Sequence, residues 1–495
     1  MKIPIACLSL ALLVLATSAP AQEASNPFIK KPETAKPAAP PGPSFVSLLE
    51  NILVPPDLLD DWLREHPMKQ DATALRAAVQ DWVVEGKAKL DHTALNLGTA
   101  GRQTTNESIL ETIYPTEYAP SGTGAWPCPT AFDTRNCGHD VKTGLSQANG
   151  IQSLWSEMEH VEMVSSKSYQ AIIERTRQPS DIFLPKFHLK RINQRDPNES
   201  DDPTDPFAKP APKVISNTYF NEPHGLVFMP DVVQLAGRFD PTFDANPEGE
   251  LSRLVFYRGS IATVSKDKTT AAPDISRLSF RMVRVSLLAF SSWLQSHPPL
   301  SVPTQCWEAT ESWRKEGKAE SAGELTTQAR PGTKSVLKNI EEYIYPTEWL
   351  PGNDTEVIEQ WEEGKKKNDK DGVSTMKRMK ITPRSGIDGA GLACAFDTRN
   401  LGNTFEAVLS SDEQGLVLGC NWERVLHLGD PIYHRIKVNE EWIPNITMPL
   451  FSASRLVATV RVQPGQWTLL GSVSEYLETR KLDHEHCLLV FVKIE

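Results

Sequence analysis

Two segments carry the side chains best placed by type and spacing to do chemistry. Ala131-Phe132-Asp133-Thr134-Arg135-Asn136 and Ala395-Phe396-Asp397-Thr398-Arg399-Asn400 are identical, and each sets one carboxylate behind an apolar lead. Two carboxylates within about 3 Å can share a proton, one acting as base on water and the other as acid. Asp133 and Asp397 are therefore the candidate catalytic pair for peptide-bond hydrolysis. Arg135 and Arg399 act against it, because a neighbouring guanidinium holds a carboxylate charged. His484-x-His486-Cys487 is a second candidate, since residues two apart share a strand face and suit a transition metal. No third or fourth ligand stands beside it, so no metal and no cofactor are expected. Gly-x-Ser-x-Gly, His-Glu-x-x-His and Gly-rich phosphate loops are absent, which disfavours serine hydrolases, zincins and nucleotide enzymes.

The elements that must position these residues come in duplicate. Trp62-Leu63-x-x-His66-Pro67 recurs as Trp293-Leu294-x-x-His297-Pro298, and Ile113-Tyr114-Pro115-Thr116-Glu117 as Ile344-Tyr345-Pro346-Thr347-Glu348. Both pairs are 231 residues apart, and 19 of the 56 positions from Trp62 to Glu117 are identical at that offset. The Asp-bearing segments recur at an offset of 264, which also matches Pro185, Phe187 and Arg191 to Pro449, Phe451 and Arg455. Leu254-Val255-Phe256 answers to Leu489-Val490-Phe491. A repeat this regular divides the chain into homologous halves, 45–265 and 275–495. The change of offset marks a basic insertion around 352–385 and an acidic, Pro-rich one around 193–222, both of loop composition.

Within the first half, Leu58, Leu59, Trp62 and Leu63, then Leu75, Ala78, Val79, Trp82 and Val83, recur at helical spacing until Gly86. Leu456 to Val462 alternates apolar and polar residues as a strand does. The expected fold class is α+β: two halves, each a short helical pair followed by a mainly antiparallel β-domain. Trp62, His66 and their repeats are expected to hold the helix packing.

Residues 1–21 have a charged start, an apolar centre and an Ala-Pro-Ala ending, the pattern of a secretory signal peptide. Residues 22–44 form a Pro-rich linker. Export makes disulfides permissible among Cys128, Cys137, Cys306, Cys394, Cys420 and Cys487. Cys128 with Cys137 and Cys394 with Cys420 are the preferred pairs of fifteen connectivities. A net charge of −11 disfavours nucleic acid as a partner, and no apolar run beyond the signal is long enough for a transmembrane helix.

Phe396-Asp-Thr-Arg-Asn-Leu-Gly-Asn, and Arg455-x-x-x-Thr459-x-Val-x-Val462-x-x-Gly465-Gln466 closing on Leu470-Gly471, stand in the order of the secretin C-terminal β-domain. Over about 150 residues the second half resembles that domain, which forms outer-membrane rings of secretion and pilus systems, and the first half resembles it faintly. Ser472-Val473-Ser474 replaces the second glycine, and the Pro-Leu-Gly run downstream is missing. The resemblance implies an exported structural or accessory protein of the bacterial envelope, in the periplasm, at the outer membrane or secreted. Its partners would be envelope proteins or copies of itself. The duplicated Asp-Thr is also similar to that of two-lobed aspartic proteases, with Arg135 and Arg399 where that family has Gly. That similarity implies the alternative, an aspartic endopeptidase acting on extracellular protein or glycoprotein through Asp133 and Asp397.

Overall fold

Ser44 to Val54 is buried on both sides of the strand, so it shows none of the alternation that betrays a half-buried strand in sequence. It is β1 of a computed structural model that describes residues 43–67, 69–119, 128–148, 151–164, 186–193, 231–239, 251–262, 276–350, 355–364, 376–383, 391–412, 415–438 and 441–495. The signal peptide, nearly all of the linker, nearly all of the 193–222 insertion and 16 of the 34 residues of the 352–385 insertion lie outside the described residues.

After β1 come α1 (Pro56–Glu65), α2 (Thr73–Val84), β2 (Lys89–Thr99), β3 (Gln103–Ala119), β4 (Cys128–Ala148), β5 (Ile151–Val164), β6 (Lys186–Asn193), β7 (Gln234–Phe239) and β8 (Ser252–Ala262). The second half repeats the order with β9 (Ser276–Ser286), α3 (Leu287–Ser296), a 3₁₀ turn, α4 (Val302–Lys315), β10 (Ala319–Ala329) and β11 (Lys334–Leu350). A hairpin of β12 (Thr355–Gly364) and β13 (Met376–Pro383) follows, then β14 (Leu392–Asp412) and β15 (Gly415–His427). A second hairpin, β16 (Ile432–Val438) and β17 (Glu441–Thr447), precedes β18 (Leu450–Val462), β19 (Thr468–Val473) and β20 (His486–Ile494).

The α+β expectation is corrected. Twenty strands stand against four α-helices among the described residues, so the fold is mainly β, built from large antiparallel sheets. The helices do not form a layer ahead of the β structure. They interrupt it, lying between the first and second strand of each half, because β1 and β9 precede them.

Both halves build both large sheets. One sheet has the order β10-β9-β20-β19-β2-β1-β8-β7, and the other β11-β14-β15-β18-β3-β4-β5-β6. Each is thus a four-strand unit from the second half followed by the equivalent unit from the first. The pairing β1–β8 sets Ile52 opposite Leu254, and β9–β20 sets Val283 opposite Leu489, so the repeats match in register as well as in sequence. Gly138 and Gly402 show why the repeated motif keeps its glycine. Their φ angles are 118° and 103°, and a Cβ there would stand 2.2 Å from Ser108 O and 2.3 Å from Asn339 O.

The main core lies between the sheets and draws on both halves. Phe280 packs on Phe405 and Trp422, with ring centroids 4.2 and 6.1 Å apart, and all three are fully buried. Burial of each such side chain stabilises by roughly 1.5–3 kcal/mol. Trp62 stacks on His66 at 4.3 Å and Trp293 on His297 at 4.0 Å, each imidazole lying over the end of its own helix. At the far end of the second sheet, Ile113, Tyr345, Val425, Ile446, Met448 and Phe451 form a smaller core. There β11 also touches β4 at Glu348↔Ala131, so β11, β14, β15, β18, β3 and β4 make a ring.

Candidate functional site

Asp133 lies on β4 opposite Tyr114 of β3, and Asp397 on β14 opposite Tyr345 of β11. Both are exposed, and each accepts a 2.7 Å hydrogen bond from the N–H of the threonine after it. The fold does not put them on neighbouring strands. At the bridge that closes the ring, Glu348 of β11 stands between Ala131 and Ala395. Two strand spacings separate β4 from β14 there, about 9–10 Å, which is too far for a shared proton. Arg399 does not serve Asp397 either. It donates to Glu111 at 3.0 and 2.6 Å and to Glu423 at 2.9 Å. Burial pushes the Glu111 carboxyl up, and Arg399 works against that rise.

The preferred disulfides are corrected by the same strands. Cys128 and Cys137 both belong to β4, nine residues apart on extended chain, roughly 30 Å. Cys394 lies at the start of β14, beside the last residues of β11, whereas Cys420 of β15 is opposite Ala407, thirteen residues farther along β14. A disulfide requires Cα atoms within about 7 Å. All six thiols are free, and only Cys394 is exposed.

His484, His486 and Cys487 separate as well. His484 Nδ1 lies 3.2 Å from Leu90 O, His486 Nδ1 lies 3.1 Å from Asp483 Oδ2, and Cys487 is buried in β20. Among the described residues no group of three or more His, Cys, Asp or Glu is arranged to hold a metal. A roomy concavity, about 220 Å³ between α1 and α2, is bordered mainly by exposed side chains including Glu65, His66, Lys69 and Asp71.

The cluster that sequence reasoning missed is buried where the halves meet. His92 of β2, His139 of β4 and His160 of β5 stack with centroids 4.3 and 4.1 Å apart, none more than 4% exposed. Asn51 Nδ2 donates to His139 Nδ1 at 3.1 Å, leaving Nε2–H to face Asp91 Oδ2 at 3.2 Å. Arg253 donates to the same carboxylate. Burial alone would raise Asp91, but Arg253 and then His139 hold it well below the usual carboxylate range. Burial lowers His139 to about 3, with His160 adding to the effect. His92 is likewise lowered well below its ordinary value, first by burial and then by His139. His92 and His139 are thus neutral imidazoles beside one fixed carboxylate. The stack tethers both halves, since His92 Nδ1 meets Ser474 Oγ at 3.0 Å and Ser474 N–H donates to Ser108 Oγ at 2.9 Å.

Around that cluster the halves are sewn together strand to strand. β18 pairs with β3 from Leu450↔Thr112 to Val457↔Thr105, and β19 meets β2 at Gly471↔Asn96 and Ser472↔Leu95. Above them α3 covers a buried ion pair of the first half. Arg76 donates to Glu50 at 2.9 and 2.7 Å, and Ser291 of α3 donates to Glu50 at 3.1 Å. The site with the most structure behind it is therefore this joint, together with the sheet edges that it leaves open at the two ends. The chain matches no protein-family model, no curated protein and no solved structure.

Proposed function

We propose that the chain is an exported, secretin-like structural protein of the bacterial envelope, acting by protein–protein contact through edge strands that pair with copies of itself. The observation that carries this reading is the head-to-tail order of both sheets. β6 repeats β18 and β7 repeats β19, strands that are paired at the joint; β11 repeats β3 and β10 repeats β2, their partners there. Among the described residues β6, β7 and β10 each have one strand neighbour, and β11 adds to its own only the bridge to β4. Among the described residues, every open edge of the two large sheets is thus a copy of an edge that this chain already pairs. Unpaired edges template further pairing, and a head-to-tail contact between identical subunits generates rings or filaments.

Transferring the β18–β3 register by the two repeat offsets places Lys186 of one copy opposite Tyr343 of the next, and Asn193 opposite Val336. Leu189 then stands opposite Ile340, and Ile192 opposite Leu337. The aspartic endopeptidase reading draws no support from the positions of Asp133 and Asp397. The test is the mass of the purified chain in mild detergent, by size exclusion with light scattering and by negative-stain microscopy. Rings or higher oligomers are expected; a monomer at every concentration would overturn the proposal.

A further inference from the structure

We propose that an apolar patch on β11 and β14 is the seat of residues 165–185 from a second copy of the chain. Among the described residues, half of the twelve large apolar side chains that stand exposed lie on these two strands, and they include Ile344 (66%), Leu392 (68%) and Phe396 (61%). Their counterparts in the first half are Ile113, Cys128 and Phe132, in the same register. There the surface is covered: Ile113 is 3% exposed and Cys128 4%. Part of that cover is the segment between β15 and β18, which packs there beside Tyr345 of β11 and Phe451 of β18. Tyr433 sets its ring edge-on to Phe132 at 5.6 Å and donates its hydroxyl to the carbonyl of Ile113, while Ile446 and Met448 complete the same small core.

The first half carries its own version of that cover in sequence. Residues 165–185 join β5 to β6 as 429–449 join β15 to β18, with no gap at the 264 offset. Tyr169, Ile172, Ile182 and Pro185 repeat Tyr433, Ile436, Ile446 and Pro449, and Leu184 stands for Met448. At the joint, the half that supplies β18 also supplies the cover for the half that supplies β3. By the same rule, the copy whose β6 pairs with β11 supplies the cover for that β11 and its neighbour β14. The occupant is a second copy because β6 and β11 of one chain are not paired with each other. This assignment rests on the edge-pairing reading and adds to it which side chains recognise the partner.

The two faces differ, so each can be spoiled separately. Phe396→Asp removes the seat and keeps the cover, and Ile182→Asp removes the cover and keeps the seat. Full-length wild type and both variants are compared by light scattering across a hundredfold range of concentration, with cooperative melting followed by tryptophan fluorescence to confirm that each is folded. Wild type is expected to assemble, and each variant alone to need at least tenfold higher concentration. An equimolar mixture of the two variants is expected to give dimers that grow no further, since each dimer retains one good joint and ends in two spoiled faces. Phe396→Leu is expected to assemble as wild type does. Assembly of both aspartate variants at wild-type concentrations would overturn this inference and leave edge pairing standing. So would a mixture that forms no dimers, or variants that lower the melting temperature without changing assembly, which would place the cover on its own chain. A wild-type monomer would instead overturn the edge-pairing reading itself.

Discussion

Mild acid should loosen the joint, and the buried histidine stack sets how much. His139 is lowered to about 3 in the folded chain, against about 6.5 when unfolded. Its folded value is the depressed one, so its share of stability is fully present above pH 6.5 and is lost as pH falls. At pH 5 the unfolded imidazole is almost wholly protonated and the folded one is not, which costs about 2 kcal/mol. The figure depends little on the folded value as long as that stays below 4. His92, also held well below its ordinary value by burial and then by His139, adds a loss of the same sign, and the His139 share alone is a sizeable part of a total stability of about 5–15 kcal/mol. Asp91 does not offset this, because the stability from its lowered value is lost only below about pH 4. Urea unfolding followed by tryptophan fluorescence at pH 7, 6 and 5 measures the slope. His139→Gln should flatten it by about 1.2 kcal/mol between pH 6 and 5. An unchanged slope in that variant, or stability that rises from pH 7 to 5, would refute the reasoning.

Removing one partner of the buried Arg76–Glu50 pair leaves an uncompensated charge under α3. Arg76→Ala should therefore cost about 3–5 kcal/mol, seen as a lower urea midpoint, and Arg76→Met with Glu50→Leu should recover much of it. Alkylation of the native protein followed by peptide mass spectrometry should label Cys394 first. Cys306 and Cys420, whose thiols burial raises to about 12, should react only after unfolding. Asp133→Asn and Asp397→Asn should each change stability by less than about 0.5 kcal/mol, as exposed sites do. Pepstatin-sensitive cleavage at acidic pH that vanishes in both variants would contradict the separation of the two strands.

The duplication was legible because identical residues recur at fixed offsets, and the structure keeps those offsets in its strand registers. The alternation from Leu456 to Val462 marked β18 for the same elementary reason. β1 was not legible: a strand covered on both faces has no alternation, and the helix after it carries the stronger periodicity. β3 and β11 were masked by their own Tyr-Pro steps. Pro115 and Pro346 sit where the pairing with β4 and β14 is already interrupted by a bulge, the place where a strand tolerates a missing N–H. The histidine cluster had no signal to find. Asp91, His92, His139 and His160 have Ala322, Gly323, Asn403 and Arg424 at their repeat positions, so a reading guided by the repeat passes over residues that only one half possesses.

The halves also act as controls for each other in the energetics of assembly. Ile113 and Ile344 are the same residue opposite the same threonine, Thr134 or Thr398, yet Ile113 is 3% exposed and Ile344 66%. Covering Ile344, Leu392 and Phe396 to the extent seen in the first half is worth roughly 3–6 kcal/mol. Association of free molecules costs about 4–15 kcal/mol in lost motion, so the patch by itself gives at best a weak complex. Pairing β6 on β11 would add hydrogen bonds worth about 0.5–1.5 kcal/mol each, and the same geometry makes both contacts at once. Inside one chain the joint bears no such association cost, because the halves are already tethered. The inner joint is therefore permanent, and an outer one formed by the proposed pairing would be reversible and set by concentration.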